Sequence, residues 1–247
     1  MVNNVTDILV LSTLAGLATG LGGLIVLFRR PGRKLFGFLM GLAAGIMITL
    51  SFTQLMAEAL RISGVFFATS AFTVGALVMG ILDFLLPHAH FSVTEKGVVD
   101  GRLLKSGLMI AIGITLHNFP EGMSVASGYS YIPRLGVVIA VAMAIHNVPE
   151  GIATSLPLYA GGASRRMAFG VALASGLAEP LGALVAAYFL QFFKEFVPFG
   201  LGFAAGVMVF ITLDELIPVA QQNGHEHFMS FGVILGCIAT FIMLAML

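Results

Sequence analysis

Two six-residue runs differ at a single position: His117-Asn118-Phe119-Pro120-Glu121-Gly122 and His146-Asn147-Val148-Pro149-Glu150-Gly151, offset by 29. On a helix, the histidine and glutamate of each run lie at i and i+4 and share one face. The asparagine sits about 100° round, where it lines an adjoining position. Imidazole with carboxylate is a ligand set for zinc, iron, cobalt or manganese. A third acid, Glu179, follows Glu150 by 29 residues. The competing reading keeps the acids protonated and hydrogen-bonded to Asn118, Asn147 and nearby hydroxyls, as ties between helices.

The elements that must carry these groups are apolar. Of 247 residues, 58% are hydrophobic and 10% charged, with mean hydropathy +1.02. Soluble domains carry about 25% charged residues, so a disordered chain, a basic nucleic-acid binder and an ordinary cytosolic enzyme are excluded. The lone Cys237 excludes a disulfide framework and any multi-cysteine metal site. A bilayer-crossing helix needs about 20 mostly apolar residues. Eight such stretches are predicted, at 8–28, 36–60, 66–86, 104–129, 134–159, 166–191, 197–220 and 228–246. The connections are short, so residues 1–247 are read as one all-α transmembrane domain. With the N-terminus outside, nine of the 12 basic residues fall in inside loops, Arg29, Arg30, Arg33 and Lys34 foremost. That bias predicts both termini on the extracytoplasmic side.

Counting from the turns near Pro133 and Ala163, the two motifs and Glu179 return to one depth, near the bilayer centre. Three ionised acids there cost roughly 10 kcal/mol if unpaired, and no Lys or Arg in the spans is near enough to neutralise them. A divalent cation would. Pro120, Pro149 and Pro180 lie at the same depth and free the carbonyls of Leu116, Ile145 and Gly176. They predict broken helices around a polar cavity.

Two further similarities concern the whole chain. Gly41-Leu-Ala-Ala-Gly45-Ile-Met47 matches Gly202-Phe-Ala-Ala-Gly206-Val-Met208, offset by 161. Gly16-Leu-Ala-Thr-Gly-Leu-Gly22 matches Gly176-Leu-Ala-Glu-Pro-Leu-Gly182, offset by 160. The partners are five spans apart, an odd number, so spans 1–3 and 6–8 read as inverted copies around a central pair, a 3+2+3 arrangement. Inverted repeats favour alternating access around a midplane site; chance likeness among Gly- and Ala-rich packing stretches is the alternative.

Other polar groups are candidates for the ends of a path. Gln54 and Glu58 fall near the outer end of the second span, as an entrance or a solvated helix end. Asp214 and Glu215 fall toward the inner end of the seventh, as an exit or an interfacial cap. His88, His90, His225 and His227 are placed in inside loops, as transient metal acceptors or plain solvated histidines.

At the paired His-Asn-x-Pro-Glu-Gly runs the chain resembles the ZIP (Zrt/Irt-like) family of divalent metal transporters, in its short bacterial form. The resemblance spans the whole chain. It implies one metal site of His117, Glu121, His146 and Glu150, and an adjoining one of Asn118, Asn147 and Glu179 sharing Glu121 and Glu150. It further implies a homodimer in the bacterial inner membrane, with spans 1, 4, 5 and 6 sliding against the rest. The expected activity is passage of divalent metal into the cytoplasm, zinc foremost, with cadmium, iron, manganese and cobalt alongside. The metal is then substrate, with no catalytic cofactor and no nucleic-acid partner. An intramembrane metal-dependent hydrolase and a metal-selective channel are the alternatives; His-Glu-x-x-His is absent and the repeats speak against hydrolysis.

Overall fold

A computed structural model of the chain describes residues 5–28, 31–85, 100–131, 133–193 and 197–246. Among these every regular element is helical: α1 (Val5–Gly23), α2 (Ile25–Phe28), α3 (Arg33–Leu50), α4 (Ala57–Leu85), α5 (Gly101–Tyr131), α6 (Pro133–Ala160), α7 (Arg165–Gly176), α8 (Ala178–Phe193), α9 (Val197–Ile211), α10 (Ile217–Asn223) and α11 (Glu226–Met246). The protein is an all-α membrane protein. Six helical stretches are long and apolar enough to cross a bilayer, among them one of 53 residues, Arg33–Leu85. At about 1.5 Å per residue that stretch would far overrun a 30 Å hydrocarbon core. It is divided at Gly64, whose φ of 76° is open to glycine and not to an L side chain. α5 adds another 31-residue helix.

Small residues set the packing. α3 lies on α11 and α4 on α9, and at each crossing a glycine faces the backbone of its neighbour. Gly41 meets Met229 and Gly45 meets Val233; Gly202 meets Ala68 and Gly206 meets Phe72. The second pair of contacts is the first displaced by 161 residues, with the roles of the two helices exchanged. A related repeat joins α1 on α6 to α8 on α5, the α1 and α8 residues offset by 160 and the α6 and α5 residues by 29. Gly22 lies on Val148 and Gly151 on Thr19, while Gly182 lies on Phe119 and Gly122 on Glu179. Close approach of backbones substitutes for a hydrophobic driving force that lipid does not provide.

Two π-helical turns interrupt the helices, Ser51–Met56 after α3 and Thr212–Leu216 after α9. They start 161 residues apart, at the offset of the glycine motifs. Such turns insert a residue into the helical ladder and often mark functional positions.

The prolines behave differently from expectation. The chain breaks at Leu177, ahead of Pro180, so that α7 ends and α8 begins there. Pro120 and Pro149 are held inside the continuous helices α5 and α6. A full break at bilayer depth orphans several backbone groups with no water to satisfy them, whereas a tolerated proline forfeits one hydrogen bond. The core between α3, α5, α6 and α9 is filled by Met40, Met47, Met109, Ile110, Ile114, Leu156, Met208 and Ile211, all buried. Phe66 and Phe84 of α4 and Phe231 and Phe241 of α11 face outward, as lipid-facing side chains do.

Candidate metal site

The continuous α5 and α6 put the histidine and glutamate of each motif on one face, and the packing of α5 on α6 brings the two faces together. Oε1 of Glu121 lies 2.7 Å from Nε2 of His117 and 2.7 Å from Nε2 of His146. The ligand atoms of His117, Glu121 and His146 all lie within 4.8 Å of one another. Glu150 closes the group from α6, its Oε1 3.6 Å from Nε2 of His117. All four side chains are buried.

Nδ1 of His146 lies 3.1 Å from the carbonyl of Ala142. A carbonyl only accepts, so Nδ1 carries the hydrogen, and Nε2, when the ring is neutral, presents a lone pair to Glu121. Two acceptors facing each other at 2.7 Å require a proton or a cation between them. Orientation of a ligating imidazole by a backbone carbonyl on its other nitrogen is the usual support of a metal site.

A second layer lies where α1 and α7 cross. The amide of Asn147 donates to the carbonyl of Ala15 at 2.9 Å and to Oε2 of Glu179 at 2.8 Å. The amide of Asn118 donates to the carbonyl of Ser175 at 3.1 Å. Asn118, Asn147 and Glu179 are fully buried. Both amide nitrogens are thereby spent on backbone, which turns the amide oxygens to the other side. Those oxygens have no hydrogen-bond partner, and neither do Glu121 Oε2, both oxygens of Glu150, Glu179 Oε1 and Nδ1 of His117. An unpaired buried acceptor costs about 1–3 kcal/mol, more when charged. A cluster of oxygen acceptors this dense is what a hard or borderline cation requires.

The structure thus brings His117, Glu121, His146 and Glu150 together, joins Asn147 to Glu179 and ties Asn118 to α7. Of the outlying candidates, Gln54 and Glu58 line a cavity of about 520 Å³ between α4, α5 and the first π turn, with Arg61 at its edge. Glu58 is held there by Arg61, whose Nε and Nη2 donate to its carboxylate at 2.7 and 2.5 Å. Asp214 and Glu215 join Asp83 of α4, the ligand atoms within 4.8 Å of one another. Lys105 supplies the counter-charge, its Nζ 2.6 Å from Asp83. Nothing in the sequence ties Asp83 of α4 to the second π turn. His225 and His227 sit at the turn into α11 with rings 5.8 Å apart, apart from the buried cluster, and His227 is exposed. His88 and His90 lie outside the described residues.

The chain is similar to known proteins along its length. The profile of the ZIP zinc transporter family matches residues 88–244. The zinc transporter ZupT of Akkermansia muciniphila is 38% identical, over 98% of each chain. The zinc transporters ZupT of Corynebacterium aurimucosum and Corynebacterium efficiens are 38% and 40% identical, over more than nine-tenths of each chain. With relatives at this identity along its whole length, and both signature runs folded into one buried cluster, the chain belongs to the ZIP family.

Proposed function

We propose that this chain carries divalent transition-metal cations across the bacterial inner membrane into the cytoplasm, with zinc as the favoured ion and cadmium, iron, manganese and cobalt as congeners. The observation that carries the reading is Glu121 Oε1 between two imidazole Nε2 atoms, ringed by unpaired carboxylate and amide oxygens. ZIP proteins are transporters, which sets the hydrolase alternative aside.

His117, Glu121, His146 and Glu150 form the first subsite. Asn118, Asn147 and Glu179, sharing Glu121 and Glu150, form the second. The chain crosses the membrane eight times, as 3+2+3 with both termini outside; the contacts repeated at offsets of 160 and 161 and the division at Gly64 support this arrangement. Two such chains form a homodimer. The cation enters by the cavity of Gln54 and Glu58, and leaves past Asp214 and Glu215, as the two repeat units exchange outward- and inward-facing states. An inside-negative potential of 100 mV contributes roughly 4.6 kcal/mol to a divalent ion moving inward. Protons arriving at the histidines and carboxylates weaken binding and aid release.

The test is uptake of zinc into proteoliposomes with cadmium, iron and manganese as competitors. Replacing both Glu121 and Glu150 by Ala is expected to abolish saturable uptake while the protein stays folded in detergent. Undiminished uptake by that variant rejects the assignment, and flux that does not saturate favours the channel.

A further inference from the structure

Among the described residues, seven of the ten buried side-chain atoms without a hydrogen-bond partner belong to the motif residues and Glu179; the other three are Thr19 Oγ1, Ser155 Oγ and His225 Nδ1. Thr19 is fully buried in α1. Buried helical hydroxyls in this protein ordinarily bond a carbonyl three or four residues back, as Ser12, Thr49, Ser51, Thr154, Thr212 and Thr240 do. Thr19 does not. The carbonyl four residues before it, that of Ala15, receives the amide of Asn147 instead.

Its register explains where the hydroxyl belongs. Residues 19 and 179 are separated by 160, the offset relating the two glycine motifs. Oε2 of Glu179 lies 3.3 Å from where a Cβ on Gly16 would stand, and Cβ of Thr19 lies 3.0 Å from where a Cβ on Gly176 would stand. Thr19 therefore occupies, against α7, the place that Glu179 occupies against α1. The carbonyl of Thr19 rests on Gly151, the neighbour of Glu150, just as that of Glu179 rests on Gly122, the neighbour of Glu121. On the Glu179 side the Asn147 amide bonds the carboxylate; on the other, Asn118 bonds the carbonyl of Ser175, next to the Gly176 that Thr19 lies against, and its Oδ1 and the Thr19 hydroxyl are both without a hydrogen-bond partner.

We propose that the Thr19 hydroxyl is an oxygen ligand for the transported divalent cation, forming with Asn118 Oδ1 and the Glu150 carboxylate a half-site opposite Glu179 and Asn147. This rests on the transport reading above. Thr19 is neutral where its counterpart Glu179 is acidic, so the two sides grip a cation unequally. The ion is held by the Glu179 side and handed over on the Thr19 side. A second glutamate in place of Thr19 would make the two sides equal and remove that gradient.

The experiment is zinc binding by isothermal titration calorimetry on the purified full-length chain, with zinc uptake by the same proteins in liposomes. Thr19→Val keeps the shape and removes the oxygen; Thr19→Ser keeps the oxygen. The expected result is that Thr19→Val weakens the weaker of two zinc-binding events tenfold or more and leaves the tighter one within twofold. Uptake then shows a raised KM, and Thr19→Ser behaves as wild type. Wild-type binding unchanged by Thr19→Val overturns the assignment, as does equal impairment by Val and Ser, which marks a packing role. Absence of zinc binding in the wild-type chain overturns the transport reading and this one with it.

Discussion

Gly16 of α1 and Gly176 of α7 stand backbone to backbone, the carbonyl oxygen of each filling the space in which a Cβ of the other would lie. The contact is reciprocal, and the two residues are the first members of motifs offset by 160. It also sets the site, because the Glu179 carboxylate lies over Gly16. Gly16→Ala or Gly176→Ala must force the helices apart. Overpacking of this kind costs about 1–3 kcal/mol. Both variants are expected to melt at lower temperature in detergent and to take up zinc at least tenfold more slowly. Gly170→Ala, with nothing within 4 Å of the new methyl group, serves as control and is expected to match wild type. A Gly16→Ala protein as stable and active as that control removes the contact from the mechanism.

What the sequence could disclose follows from which features are local. The His-Glu pairs are i, i+4 neighbours on unbroken helices, and their common depth follows from counting residues to the turns, so the cluster of His117, Glu121, His146, Glu150 and Glu179 was legible. The division near Gly64 was legible as a gap between apolar stretches. The π turns at Ser51–Met56 and Thr212–Leu216 were not; one inserted residue leaves no mark on composition or periodicity. Pro180 breaks its helix and Pro120 does not, a difference that lies in the neighbouring helices and not in the prolines. The meeting of Asp83 and Lys105 with Asp214 and Glu215 joins three distant elements, and long-range contact between single side chains has no sequence signal without a repeat to carry it. Thr19 had one: its register with Glu179.

The two asparagines are not equivalent. Asn147 holds both the Ala15 carbonyl and Glu179, whereas Asn118 holds only the Ser175 carbonyl. Replacing Asn147 by Ala strips Glu179 of its hydrogen-bond donor and leaves a buried carboxylate without one, at a cost of about 1–3 kcal/mol. Uptake measured side by side is expected to fall further in Asn147→Ala than in Asn118→Ala, by roughly tenfold for each 1.4 kcal/mol. Equal losses, or the reverse order, would contradict the asymmetry.

Lys105 is the counter-charge of an acidic group. Its Nζ lies 2.6 Å from Asp83, which lies with Asp214 and Glu215. The pair is partly buried, so removing the lysine leaves like charges close together with limited solvent screening. Lys105→Ala is expected to be destabilised by about 1–3 kcal/mol, read as a lower melting temperature in detergent. Asp83→Asn in the same background relieves the repulsion and should recover part of the loss. If the double variant is less stable than Lys105→Ala alone, Lys105 acts through packing and not charge.

At the other cavity the balance runs the opposite way. Arg61 donates twice to Glu58, yet both side chains are substantially exposed. An exposed pair contributes at most about 1 kcal/mol, so a divalent cation reaching the cavity displaces the guanidinium at little cost. The arginine nonetheless repels approaching cations and occupies a carboxylate they would use. Arg61→Ala is therefore expected to lower the KM for zinc uptake several-fold at low ionic strength with Vmax unchanged, and Glu58→Gln to raise it. The difference between wild type and Arg61→Ala should fade in high salt, where the screening length contracts to about 3 Å at 1 M. A KM indifferent to Arg61 at every ionic strength places the route of entrance elsewhere than the cavity of Gln54 and Glu58.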